Sequence, residues 1–382
     1  MRNICLISDG RTSHGIYKPV LDQINKNKQL NYKYILTGFH FDKNYGNTYQ
    51  EIISEGYRIS DKIKIKKNFN KLNFQLKLLQ IYIEELKNIL GKSKIDIFLG
   101  QGDRVITLAA AITCAYLKIP FAHMHGGEKS GTFDETVRHI ITKLSDIHFA
   151  ASIKSFKRIE KLGEIKKNIF LTGSTSVEYI KNLKNQSLKT FNKKYKLSKF
   201  YTFCILLFNP DIARGKYNKK DVNIIIDTIK KFNINLILIY PNNDTYSKDI
   251  IEILKKQKNR KIKLFKNFRF DDYIHLLSLS KFLIGNSSGG IIETPTIKIP
   301  NIITGLRQSQ REIAKNSIVA SINSNEISNA IFKVLNDKKY QKIIQKGTNP
   351  YLPLKNKNPS KIIINILKKI KLNKIKEKQI TY

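Results

Sequence analysis

Short apolar runs alternate with longer segments of helical spacing along almost the whole chain, and this alternation restricts the fold more than any other feature. Apolar runs bounded by turn residues read as buried strands, and strands separated by helices call for parallel sheets covered by helices. The strand-like runs are Asn3–Ser8, Lys33–Thr37, Asp96–Gly100, Pro120–His123, His148–Ala151 and Ile169–Thr172. A second series follows at Thr202–Leu207, Leu236–Tyr240, Ile262–Phe265, Phe282–Gly285 and Pro300–Ile303. Helical patterns lie between them: Gly15–Asn25, Thr48–Glu55, Leu72–Leu90, Val105–Leu117 and Asp134–Leu144, then Asp221–Phe232, Ser247–Gln257, Phe270–Ser278, Gly290–Pro295 and Glu326–Asn336.

The reading is α/β, with a Rossmann-like domain over 1–172 and a second over 173–355, hinged at Leu171-Thr-Gly-Ser-Thr175. A Lys-rich tail, 356–382, has Ile362, Ile363, Leu367 and Ile370 at helical spacing and is expected to pack back on the first domain. No apolar run is long enough for a bilayer, and the first one is too short for a signal peptide. Cys5, Cys114 and Cys204 are isolated, without metal-ligand spacing. A cytoplasmic protein without structural zinc is expected. The formal net charge is +39, from 69 Lys+Arg against 30 Asp+Glu. The lysines are scattered and no nucleic-acid motif accompanies them, so the excess reads as a composition bias over solvated faces. It would still attract an anionic substrate.

The chemistry concentrates after the strands, where α/β proteins bind ligands. The densest segment is His123-Met-His-Gly-Gly-Glu-Lys-Ser-Gly-Thr-Phe-Asp-Glu-Thr-Val-Arg-His139. Helical spacing would put Asp134 beside Arg138 and Glu135 beside His139. Gly10 and Arg11 after the first strand suit an anion. His40 follows the second strand as a ligand contact or a structural residue. Asp103 and Arg104 follow Gly102, with Asp103 as an N-cap or a base beside its cation. In the second half, Asn209 and Asp211 follow one strand and Asn242 another. Gly285-Asn-Ser-Ser-Gly-Gly-Ile-Ile-Glu293 is the strongest phosphate cradle: small residues admit the backbone, Ser287 and Ser288 donate, and a helix begins there. Arg307, Arg311 and Lys315 would form one cationic stripe if their segment is helical.

Together these segments resemble the hydrolysing UDP-N-acetylglucosamine 2-epimerases, in the branch that releases free N-acetylmannosamine. The matching pieces run in order: Gly10-Arg11, Thr37-Gly-Phe-His40, Tyr45-Gly-Asn-Thr48, Gly102-Asp-Arg104, Gly126-Gly-Glu128 through His139, and Gly173-Ser174. They continue with Tyr240-Pro-Asn242 through Asp244, Ser247-Lys248, Gly285-Asn-Ser-Ser288, and Arg307-Gln308 through Arg311 to Asn316. The resemblance implies a GT-B-like fold, two facing Rossmann-like domains with a UDP-sugar in the interdomain cleft. It implies no metal, no nicotinamide or other cofactor, no nucleic-acid or membrane partner, and a homo-oligomer, dimer or tetramer. The reaction would eliminate UDP to a 2-acetamidoglucal and rehydrate it, supplying a sialic-acid-like surface glycan. Asp103, Glu128 and Asp134 become the proton-transfer carboxylates, with Arg104 and His125 beside them. Arg11, Ser287, Ser288 and Arg311 become phosphate contacts and Glu293 the ribose contact. Gly10, His40, Arg138, Asn242, Gly289, Arg307 and Gln308 complete the substrate contacts. One departure stands out: the family usually carries His-Pro where this chain has Asn209-Pro210. Asn is neither acid, base nor cation. A GT-B glycosyltransferase, or a weakly active nucleotide-sugar binder, is therefore the alternative.

Overall fold

The computed structural model describes the chain except residues 43–47, 66–73, 184–185, 199, 211–218, 243–245, 309, 375–377, 379–380 and 382. Parts of two matching segments, Tyr45-Gly-Asn47 and Asp244, lie outside the described residues, as does Asp211. The described chain forms two compact units. The first comprises Met1–Lys129, Asp134–Tyr179 and Tyr351–Tyr382; the second comprises Ser130–Phe133 and Ile180–Pro350.

In the first unit the strands are β1 (Arg2–Ser8), β2 (Leu30–Thr37), β3 (Asp61–Ile63), β4 (Ile97–Gln101), β5 (Phe121–Met124), β6 (Ile147–Ala150) and β7 (Ile169–Leu171). They make one sheet in the order β3-β2-β1-β4-β5-β6-β7, paired in parallel throughout. Alternate residues of β1 serve opposite faces, as strand geometry requires. Ile4 and Leu6 join a core with Tyr34, Leu99 and Phe149. Cys5 and Ile7 join another with Phe98, Phe121 and Ala110. The second unit repeats the scheme with β8 (Phe203–Leu207), β9 (Asn235–Ile239), β10 (Ile262–Phe265), β11 (Leu283–Gly285), β12 (Asn301–Thr304) and β13 (Ser317–Ala320). Their order is β10-β9-β8-β11-β12-β13, again parallel. Strand order reverses at β1/β4 and at β8/β11. Such reversals open a crevice at the carboxyl edge of a sheet.

The tail helix Pro359–Lys369 belongs to the first unit. Its Ile363, Ile364 and Leu367 enter the core of Ile4 and Leu6. Both of its ends are fastened. Glu178 accepts from the Ser360 backbone N–H and hydroxyl, each at 2.7 Å. Arg2 donates to the Leu367 and Ile370 carbonyls at 2.5 and 2.6 Å. These contacts satisfy groups that a helix leaves open at its termini.

Some features differ from the sequence reading. The compact units divide after Tyr179 and after Pro350, beside the boundaries of 172 and 355 read from the sequence. The Gly-Ser-Thr segment is tied inside the first unit: the Ser174 N–H donates to the Tyr351 carbonyl at 2.8 Å and the Thr175 hydroxyl to the Ile16 carbonyl at 2.5 Å. The described part of residues 305–316 is turns rather than helix, so the cationic stripe does not form. Gly305 has φ +76°, which breaks a helix at its start. Two edge strands, β3 and β13, and four short helices, Ile153–Lys161, Thr175–Asn182, Leu188–Tyr195 and Lys338–Lys346, were not anticipated.

Gly285 ends β11 with φ +143°, and a Cβ there would lie 2.0 Å from the Leu207 carbonyl oxygen. Gly285→Ala is therefore expected to lower stability by more than about 2 kcal/mol. Urea unfolding monitored by circular dichroism measures this, with Gly91→Ala as control, because Gly91 has no positive φ and a Cβ there meets nothing within 4 Å.

Candidate functional site

In the first unit, β5 ends at Met124 and the backbone turns through His125, whose φ is +63°. Histidine tolerates this region better than bulkier residues do. Gly127 continues the turn at φ +72°, where a Cβ would meet the Ser155 carbonyl at 2.5 Å. The compact turn folds Glu128 back under the imidazole. His125 Nδ1 lies 2.7 Å from Glu128 Oε1, and both side chains are buried. An ionised Glu128 fixes the proton on Nδ1. The other ring nitrogen, Nε2, faces the Ser174 hydroxyl at 3.3 Å, and Ser174 in turn meets Ser176 at 2.8 Å.

The helix Phe133–Leu144 aims Arg138 into this turn. Arg138 is 1% exposed. One arm of its guanidinium donates to the Glu128 carbonyl at 2.6 Å and the other binds the Asp103 carboxylate. An unpaired guanidinium so deeply buried would cost several kcal/mol, so Arg138 holds Asp103 and the Glu128 turn together. His123 adds a brace: its ring joins the Gly102 carbonyl at 2.8 Å and Thr142 at 3.2 Å, and burial lowers its pKa to about 3. It is a neutral structural imidazole.

Asp103, Glu128, His125 and Arg138 thus form one contact chain. Other anticipated residues have the following surroundings. Asp134 is exposed in the first turn of its helix, and His139 Nε2 lies 3.5 Å from Glu135 one turn away. Arg104 pairs with Asp9 at 3.0 Å, across the β1/β4 reversal. Arg11 pairs with Glu51 at 2.9 Å, and Gly10 is the extended N-cap of the helix Arg11–Asn25. His40 is fully buried, with Nε2 on Ser8 at 2.8 Å and Nδ1 on Thr48 at 2.6 Å. Burial, then the positive charge of His14 and Arg11, depresses its pKa to about 3. With both ring nitrogens engaged, His40 braces Ser8 and Thr48.

In the second unit the residues that directly follow β8, β9 and β11 meet. The Asn209 N–H donates to Asn286 Oδ1 at 2.7 Å, and Asn286 Nδ2 donates back to the Asn209 carbonyl at 2.8 Å. The Asn242 N–H donates to Asn209 Oδ1 at 2.9 Å. Arg307 and Gln308 reach the Asn286 carbonyl at 3.4 and 3.3 Å, and Arg311 donates to Gln308 at 2.6 Å. Ser287 is the N-cap of the helix Ser288–Ile297, but its side chain makes no cap bond. Gly289 keeps the first turn clear; a Cβ there would come within 3.0 Å of Glu293 Oε2.

Glu293 is 5% exposed, and its Oε2 has no protein partner. Burial pushes its pKa up to about 7. The Tyr273 hydroxyl is also buried without a partner, and its pKa is raised by burial and by Glu293. Buried polar atoms in this condition call for an occupant. Sequence reading missed Tyr273, Asn286 and Ser174. Of these, Asn286 and Ser174 stood inside quoted motifs, whereas Tyr273 lies in an ordinary amphipathic helix. Among the described residues, no group of three or more His, Cys, Asp or Glu is placed to hold a metal, and no helix is long and apolar enough to cross a membrane.

Two doubly wound parallel sheets, each with polar loops at a strand-order reversal, define a GT-B-like α/β protein. The UDP-N-acetylglucosamine 2-epimerase family profile matches residues 22–368. The chain belongs to that family. It is 33% identical to the GDP/UDP-N,N'-diacetylbacillosamine 2-epimerase (hydrolyzing) of Campylobacter jejuni, over 99% of this chain and 98% of the relative. It is 31% identical to the UDP-N-acetylglucosamine 2-epimerase of Neisseria meningitidis, over 87% of each. The crystal structure of UDP-GlcNAc 2-epimerase from Neisseria meningitidis bound to UDP-GlcNAc shares the fold, with a TM-score of 0.83 at 19% identity over 97% of this chain and 100% of that one.

Glu293 carries a testable consequence. Its folded pKa of about 7 lies above the ordinary 4.5, so folding takes up a proton between those values, and stability falls as pH rises through that window. Glu293→Gln removes the loss. Relative to the parent, its stability is expected to be greater at pH 8 than at pH 5, by up to about 3 kcal/mol. Urea unfolding at the two pH values gives the difference.

Proposed function

We propose that this chain is a hydrolysing 2-epimerase. It would convert UDP-N-acetylglucosamine, or a related nucleotide-linked 2-acetamido sugar, into a free N-acetylmannosamine-type sugar and UDP. The observation that carries this reading is the contact chain Asp103–Arg138–Glu128–His125, in which all but the part-buried Asp103 are buried. It supplies carboxylates and an imidazole in fixed positions to a reaction that must remove a weakly acidic proton.

The reaction has two stages. A carboxylate of the first unit, Asp103 or Glu128, takes the C2 proton as the C1–O bond breaks, leaving a 2-acetamidoglucal. UDP departs with the bonding electrons. Water then supplies hydroxyl to C1, and a proton returns to C2 on the opposite face, so one water is consumed per sugar released. His125 relays a proton with Glu128. Asp134 and Arg104 are assigned supporting roles beside them.

The second unit is assigned the nucleotide. Ser287, Ser288, Arg307, Arg311 and the helix N-terminus would face the diphosphate. Glu293 would accept hydrogen bonds from the ribose hydroxyls, which supply the partner its Oε2 lacks. Gly289, Gln308 and Asn242 would shape this wall, and Gly10 and Arg11 are assigned to substrate contacts within the first unit. The resulting free sugar suits synthesis of sialic-acid-like surface glycans by a cytoplasmic route. The name of the Campylobacter jejuni relative brings nucleotide-linked diacetamido sugars into the same assay.

Incubation of the purified protein with UDP-N-acetylglucosamine, and in parallel with UDP-N,N'-diacetylbacillosamine, is expected to release UDP and a free 2-epimeric sugar without any acceptor. Asp103→Asn and Glu128→Gln are each expected to lower turnover by about 10²–10⁴-fold with UDP affinity changed only a few-fold. UDP release that requires an added sugar acceptor would favour a glycosyltransferase instead.

A further inference from the structure

Asn209 is 5% exposed and sits at the β8/β11 strand-order reversal of the second unit. Its polar contacts reach two other carboxyl-edge segments, at Asn286 and at Asn242. Its backbone N–H and carbonyl exchange hydrogen bonds with the Asn286 amide, at 2.7 and 2.8 Å. Its side-chain oxygen accepts the Asn242 backbone N–H at 2.9 Å. The Asn286 carbonyl is a further node, receiving Arg307 and Gln308. The residue next to Asn286 is Ser287, which leads into the helix Ser288–Ile297. Asn242 keeps its own Oδ1 buried and without a protein partner.

We infer that Asn209 is a positioning residue. It clamps the residues that directly follow β8, β9 and β11, at 208–210, 240–242 and 286–287, into one preformed surface for a nucleotide diphosphate ligand. This inference rests on the nucleotide role proposed above for the second unit. What the position requires is a hydrogen-bond acceptor at the δ atom, not a group that titrates. Removing it leaves the Asn242 N–H without its partner, and the loop that carries Asn242 loses its tether to the helix N-terminus. Preorganisation of that kind appears as affinity, because a loosened surface must be ordered again when ligand binds. Neutral imidazole offers Nδ1 at the same place in the side chain as asparagine Oδ1. Histidine therefore preserves the clamp, and an apolar side chain of similar size does not.

The test uses the full chain with Asn209→Leu and Asn209→His, and Asn286→Ala as a second break in the same clamp. Two readouts are taken above neutral pH: hydrogen exchange of the Asn242 amide without ligand, and the UDP dissociation constant by calorimetry. Asn209→Leu and Asn286→Ala are expected to speed exchange and to raise the UDP dissociation constant about five- to ten-fold. Asn209→His is expected to bring both back to within about two-fold of the parent. Thermal melts identify a variant that has lost its fold, in which case the other break decides. Unchanged exchange in Asn209→Leu and Asn286→Ala, or no recovery in Asn209→His, overturns the clamp. Faster exchange with unchanged UDP affinity overturns its link to the ligand. A parent that binds no UDP contradicts the nucleotide reading itself, and the exchange data still decide the clamp.

Discussion

The reversal of strand order within each parallel sheet is the constraint on which the rest depends. At β1/β4 and at β8/β11 the connections leave in opposite directions, so the loops at the carboxyl edge diverge and must be held by side chains. Both units solve this with polar pairs at the reversal. In the first, Arg104 binds Asp9. In the second, Asn209 and Asn286 exchange backbone–side-chain hydrogen bonds. The glycine that ends β11 belongs to the same solution, because only a residue without Cβ passes Leu207 at that distance.

The candidate site residues of the two units are buried differently, although both units hold buried polar atoms without a protein partner elsewhere. The first buries an ionisable chain that is internally satisfied: Arg138 binds Asp103 and the Glu128 turn, and Glu128 binds His125. Such a network restrains its members to one arrangement, which is what proton transfer to and from carbon needs. The second unit leaves buried atoms unsatisfied, at Glu293, Tyr273 and Asn242. A satisfied network suits chemistry that must be repeatable, and an unsatisfied one suits a ligand that brings its own donors.

Much of this was legible in the sequence because buried parallel strands read as continuous apolar runs. The edge strands β3 and β13 escaped notice because they are short and lack a continuous buried apolar run; β3 is Asp-Lys-Ile, and Val319 of β13 is half exposed. Short Lys-rich helices such as Lys338–Lys346 carry too few apolar positions for a clear period. The motifs around residues 126–139 and 285–293 located the polar loops, but not which side chains would meet. Asn209 and Asn286 are 77 positions apart, and Arg138 and Asp103 are 35 apart. Only the register of the sheets brings such pairs together. His40 shows the converse: its loop position suggested a ligand contact, and the fold spends both ring nitrogens on Ser8 and Thr48. Asn209 looked like a missing catalytic group, whereas its geometry is that of a clamp.

Elimination and rehydration through a glucal is the central chemical claim, and the fate of the C2 hydrogen tests it most directly. Turnover of the nucleotide sugar in deuterated water, followed by mass spectrometry and proton NMR of the released sugar, is predicted to show one solvent deuterium at C2 in essentially every product molecule, with the configuration at C2 inverted. A released sugar that keeps its original C2 hydrogen and configuration would contradict the account, because the C1 bond would then have broken without proton removal at C2.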